Sequence, residues 1–134
     1  MDVEELKETF TFFDDWEDKY RFVIDLGKEL EDIPDKDKLD ANLIRGCQSQ
    51  VWLTHRKNPD GTLNFRLDSD AYIVRGLISI VLAAFNNRRA EEILAFDIFA
   101  LFEELELLAH LSQTRGNGLR AMITRIRQIA ESAI

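Results

Sequence analysis

Cys47 is the only cysteine in the 134-residue chain, and it sits in NLIRGCQSQVWL, residues 42–53. Gly46 precedes it, and Gln48, Ser49 and Gln50 follow, a small polar run between apolar ANLI and VWL. A thiol in that setting has two readings. It is either a small buried hydrophobe or a reactive group on a loop held by rigid elements. The second requires thiolate character, supplied by a nearby cation or a helix N-terminus. Arg45 is close along the chain. Arg115 is a second cation, three residues after Ser112 in what reads as the first turn of the last helix, on the stripe of Leu119 and Met122. A cation there opposes the helix dipole, and a charge on an inward stripe needs a partner. It either pairs with one of the many acids or stands as a cation beside a sulfur anion. Gly116 and Gly118 keep that turn slim enough for another backbone to approach.

Other chemistries are poorly served. Two histidines and one cysteine do not make a soft-ligand zinc site within one chain. Neither Gly-rich nucleotide fingerprint occurs, and there is no G-x-S-x-G elbow. Paired carboxylates such as Glu91–Glu92 and Glu103–Glu104 read as solvated helix faces. The formal net charge of −8 argues against nucleic acid and against anionic membranes as partners. A lone cysteine forms no internal disulfide, the N-terminal MDVEEL is acidic where a leader is basic, and the apolar run Leu77 to Phe85 is too short to span a bilayer. The expectation is a soluble, cytoplasmic protein forming one domain over 1–134, with no cofactor and no metal.

The elements that must position these residues follow from periodicity. Val3, Leu6, Phe10 and Phe13 share one helical stripe. Asp14 or Asp15 can cap a second helix, on which Trp16, Tyr20, Val23, Gly27 and Leu30 recur at steps of four and three. Pro34 and DKDK end it. The period then changes to two: Val51, Leu53 and His55 alternate with Trp52, Thr54 and Arg56. After the turn signal NPDG at 58–61, Leu63, Phe65 and Leu67 alternate with Asn64, Arg66 and Asp68. This predicts a β-hairpin, to which residues 41–45 add a third strand, because a lone hairpin is marginal in water. Asp68, Ser69 and Asp70 offer caps for a central helix over Tyr72–Phe85. Shorter helices follow near Ala90–Leu94 and from Asp97. Ser112 caps a last helix whose stripe is Leu119, Met122, Ile126, Ile129 and Ala133. The fold class is α+β, a small antiparallel sheet of about three strands packed against several helices.

The segments GCQSQVW, DSDAYIVRGLISIV and HLSQTRGNGLRAM, with WEDKY in the second helix, resemble the SufE family of sulfur-acceptor proteins in order and spacing over nearly the whole chain. C-Q-S-Q is closer to the SufE branch, and WEDKYRFVIDLGKEL and ALFEELEL to its CsdE sister. The resemblance implies an α+β, scaffold-like fold. It also implies a sulfur acceptor and activator of a pyridoxal-phosphate-dependent cysteine desulfurase of SufS or CsdA type. Cys47 would form a persulfide and pass sulfur to a downstream iron–sulfur scaffold, with the free form a monomer or weak dimer. Ile44, Val51 and Trp52 are then walls of a shielding pocket. Arg115 matches the family's R-x-x-G-L arginine, although T-R-G-N-G-L stands here for S-R-S-Q-G-L. Asp70, with Gln48 and Gln50, faces the partner. His110 matches a family position and is expected as a buried hydrogen-bond anchor. The rivals are a docking protein that regulates the desulfurase by contact alone, a cluster scaffold completed by a second chain, and a thiol redox sensor.

Overall fold

Two helices open the computed structural model, which describes residues 1–46 and 49–134, so Cys47 and Gln48 lie outside the described residues. Asp2 caps α1 (Val3–Phe10) by accepting from the Glu5 amide at 2.8 Å, and Asp15 caps α2 (Trp16–Glu29) by accepting from the Asp18 amide at 2.9 Å. Each carboxylate satisfies a first-turn amide that has no intrahelical partner. Leu6 and Phe10 of α1 enter the core, and Phe13, just past the helix, packs on the rings of Phe10 and Phe22.

The hairpin forms as the alternation predicts. β1 (Val51–Lys57) pairs antiparallel with β2 (Leu63–Ser69), Val51 opposite Ser69 and Lys57 opposite Leu63. Asn58 O accepts from the Gly61 amide at 3.0 Å to close the turn, and Gly61 has φ +89°, which favours glycine. Val51, Leu53, Leu63, Phe65 and Leu67 are buried on one face, packed on α3 (Tyr72–Phe85).

The third strand is a correction. Among the described residues the sheet has two strands, and residues 40–42 form a 3₁₀ turn that leaves room only for one bridge, Leu43 with Trp52. The Ile44 amide still donates to Val51 O at 2.8 Å. The chain then turns away at Gly46, φ +94°. The other edge is covered just as economically. The Asn86 side chain accepts from the Phe65 amide at 2.6 Å and donates to Phe65 O at 3.1 Å, and Leu63 N donates to Arg88 O at 2.9 Å. Both edges are thus met by short pieces of chain, which blunts the edge as a template for pairing without a further strand.

α3 crosses α2 at backbone distance. A Cβ on Gly27 would fall 2.2 Å from Tyr72 O, and one on Gly76 would fall 2.0 Å from Val23 O. The crossing is pinned by Arg75, buried in the otherwise apolar α3. Its Nε donates to Gly27 O at 2.9 Å, Nη2 to Leu30 O and Nη1 to Asp68 Oδ1, with Asp32 Oδ1 also 2.9 Å from Nη1. Asp68 is only 1% exposed, although its place in the strand alternation points it outward. The segment after α2 covers that face: the Ile33 amide donates to Asp68 Oδ2 at 3.0 Å, and Lys38 Nζ lies 3.7 Å from it. The capping expected from residues 68–70 is therefore replaced. Ala71 is the N-cap of α3 and no side chain caps the helix, because Asp68 is committed to Arg75 and Asp70 to the β1 side.

α4 (Ala90–Ala95), α5 (Ile98–Glu104) and α6 (Gln113–Ser132) complete the chain. Asp97 caps α5, accepting from the Ala100 amide at 3.1 Å. Ser112 Oγ caps α6 by accepting from the Arg115 amide at 3.2 Å. Leu119, Met122, Ile126 and Ile129 are buried as the stripe predicts. Among the described residues, no helix is long and apolar enough to cross a membrane.

Candidate functional site

The N-terminal half of α6, the start of α3 and the start of β1 enclose a cavity of about 190 Å³. Its walls come from three elements because each follows its own period. α6 presents Arg115, Gly118, Leu119 and Met122, α3 presents Val74 and Leu77, and β1 presents Val51. Five of these side chains are aliphatic or thioether and form the floor. Ser49, Ser112, Thr114 and Arg115 make the polar lip. Arg115 is exposed, and among the described residues no carboxylate lies within ion-pair distance of it.

Of the described residues that flank positions 47 and 48, one lies against α6 and the other borders the cavity. Gly46 lies against α6, where a Cβ would meet Ala121 Cβ at 3.5 Å, and Ser49 is part of the lip. Beyond Ser49 the chain is clipped to the start of α3. The Gln50 amide donates to Asp70 Oδ1 at 3.1 Å, and the Asp70 amide donates back to Gln50 O at 3.4 Å. Ser69 Oγ accepts from the Ala71 amide at 3.3 Å and lies 3.5 Å from Asp70 Oδ1, so the clip is continuous with the turn into α3.

The residues picked from the sequence divide accordingly. Val51 and Arg115 meet in the cavity, and Asp70 and Gln50 meet in the clip. Ile44 is buried but does not line the cavity. Trp52 alternates to the other face of β1, where Lys38 Nζ sits 5.2 Å from its ring centroid. Cys47 and Gln48 lie outside the described residues. His110 is not a buried anchor: it is exposed on a 3₁₀ turn after α5 and stacks on Trp16, rings 4.2 Å apart and 10° from parallel. Val74 and Leu77 of the floor, and Ser49 of the lip, had no separate signal in the sequence, since an almost continuously apolar helix hides which turn faces a hollow.

A small cavity with aliphatic side chains on one side, and hydroxyls and one guanidinium on the other, suits a small, polarisable group that carries at most one negative charge. An unpaired cation favours an anion nearby. Away from the cavity, burial first and then the Arg125 charge hold the His55 imidazole below its ordinary value. The Lys19 hydrogen bond and charge hold the Glu106 carboxyl below the usual glutamate range, with Lys19 Nζ 2.7 Å from Glu106 Oε2.

Comparison with known proteins finds the SufE model, described as an Fe-S metabolism associated domain, matching residues 4–130. An uncharacterised SufE-like protein of Rhizobium meliloti is 46% identical over 135 residues, covering 98% of this chain and 96% of that one. One from Rhizobium etli is 46% identical over 132 residues, covering 96% and 89%. Among solved structures, the solution structure of a hypothetical protein from Thermus thermophilus superposes with TM-score 0.77 at 14% identity, over 98% of this chain and 94% of that one. At that identity it is the fold that is shared.

Proposed function

Since the chain belongs to the SufE family, a domain associated with Fe–S metabolism, we propose that it is a sulfur acceptor and activator of a cysteine desulfurase. Cys47 takes sulfane sulfur from the desulfurase as a persulfide and hands it on for iron–sulfur cluster assembly. The pyridoxal phosphate belongs to the partner.

The step is a thiol–disulfide-type exchange. The Cys47 thiolate attacks the terminal sulfur of the donor persulfide. The donor S–S bond breaks as the new S–S bond forms on Cys47, and the donor cysteine leaves as its thiolate. No net electron or oxidant is needed. The product, deprotonated, carries its charge on the terminal sulfur.

What supports this reading is the cavity bordered by Ser49, two residues after Cys47, with Arg115 at its lip. A persulfide held among its aliphatic side chains would be less exposed to further oxidation than one on an open loop. The guanidinium would favour the anionic sulfur. Cys47→Ser should abolish sulfur acceptance while leaving the thermal transition of the fold unchanged. If the Ser variant still stimulates the desulfurase fully, contact alone is the activity and Cys47 is not the acceptor.

A further inference from the structure

The chain carries 25 acidic against 17 basic residues, yet residues 113–132 hold Arg115, Arg120, Arg125 and Arg127 against the single acid Glu131. On the flank of α6 turned to the approach to residue 47, the basic groups are left without acids. Arg45 and Arg125 are both exposed, and among the described residues neither has a carboxylate within ion-pair distance. On α2 and β2, by contrast, Arg21 pairs with Glu17 and Asp18, and Arg66 with Glu31. The two arginines share one stretch of surface. Arg45 precedes Gly46, which lies against Ala121, and Arg125 follows Ala121 by one helical turn. His55 of β1 borders the same flank, close enough for the Arg125 charge to depress its basicity.

We propose that this flank, Arg45 and Arg125 beside the loop of Cys47, docks an acidic segment of the sulfur-donating enzyme. The inference rests on the function proposed above and adds a second contact, outside the cavity. A specific protein interface covers about 800 Å² on each partner, so a protein seated over residue 47 also covers Arg45. Guanidinium groups there donate to carboxylates in bidentate geometry. The chain as a whole carries a net charge of −8 and would repel the same segment, so the flank fixes orientation as well as attraction. A polyphosphate would feel that repulsion over its whole length, which disfavours nucleic acid.

Charges at an interface rim act on association and its salt dependence more than on the chemical step. The test uses the full chain as the co-substrate of the cysteine desulfurase from the same organism, at about 50 mM and about 500 mM salt. For the double variant R45E/R125E, KM for the acceptor should rise about tenfold at low salt and about twofold at high salt. Arg21→Glu makes the same two-unit charge change per site on α2 and should leave KM within about twofold. Equal KM for R45E/R125E and wild type overturns the inference, as does an equal shift from Arg21→Glu. So does loss of binding to a single-stranded RNA oligonucleotide with KM unchanged, which would assign the flank to nucleic acid. If wild type gains sulfur on Cys47 and the reversals are silent, only this inference falls. If wild type gains none, the proposed function fails and takes this inference with it.

Discussion

Arg75 and Arg115 both lie on inward-facing helical stripes, and they have opposite surroundings. Arg75 is buried where α2 and α3 cross, and its guanidinium is taken up by two carbonyls and the carboxylates of Asp68 and Asp32. Arg115 stands at the lip of a cavity with no carboxylate partner among the described residues. A buried charge must be neutralised by the fold, or the fold does not form. An exposed charge at the edge of a cavity is available to something that arrives later. The same residue type is thus structural in one place and available for chemistry in the other, and its partners, rather than its position in a stripe, decide which.

Substitutions can break that contrast. The largest effect is expected from Arg75→Ala, which leaves Asp68 buried with Lys38 as its nearest cation. It should cost about 3–5 kcal/mol of stability in urea unfolding. A loss under about 1 kcal/mol would mean that the network is ornamental. Gly76→Ala tests the same crossing from the steric side. Its Cβ would meet the Val23 carbonyl at 2.0 Å, backbone against backbone, and a loss of about 3 kcal/mol is expected. Arg115→Met should do the reverse of Arg75→Ala. Its stability should stay within about 0.5 kcal/mol of wild type, while the rate of sulfur acceptance falls about tenfold, the loss expected for one charged contact. Unchanged acceptance would remove Arg115 from the site.

The smallest effect belongs to Lys19 and Glu106, an ion pair tying α2 to the turn after α5. The folded-state carboxyl of Glu106 lies below its unfolded value, so its contribution is present above the ordinary glutamate range. It is lost as pH falls through the lowered folded value. The Tm difference between wild type and Glu106→Gln should therefore be small at pH 7 and close toward zero in acid. A gap that widens on acidification would contradict the assignment.

What was legible in the sequence was local. The register of the hairpin follows from alternation and NPDG. The bounds of α3 follow from its apolar run, and the Ser112 cap from its place before the last stripe. The approach of Arg115 to Leu119 and Met122 is a matter of helical spacing. The rest depended on distant segments. Asp68 alternates outward, and only the loop around Ile33 and Lys38 covers it. The strand expected at 41–45 was overruled by a 3₁₀ turn, with Asn86 and Arg88 guarding the opposite edge from across the sheet. The Gln50–Asp70 clip joins residues 20 apart in sequence. Arg75 had no separate reading within the apolar run of α3, and its acid, Asp68, comes from a neighbouring strand.

The central claim is that Cys47 receives sulfur, and its most direct test is intact mass after incubation with a cysteine desulfurase and free cysteine in the absence of reductant, followed by peptide mapping. The account predicts a gain of one or more sulfur atoms on the peptide carrying Cys47, dependent on the desulfurase and absent from Cys47→Ser. A folded protein that gains no sulfur from an active desulfurase of its own organism would contradict it.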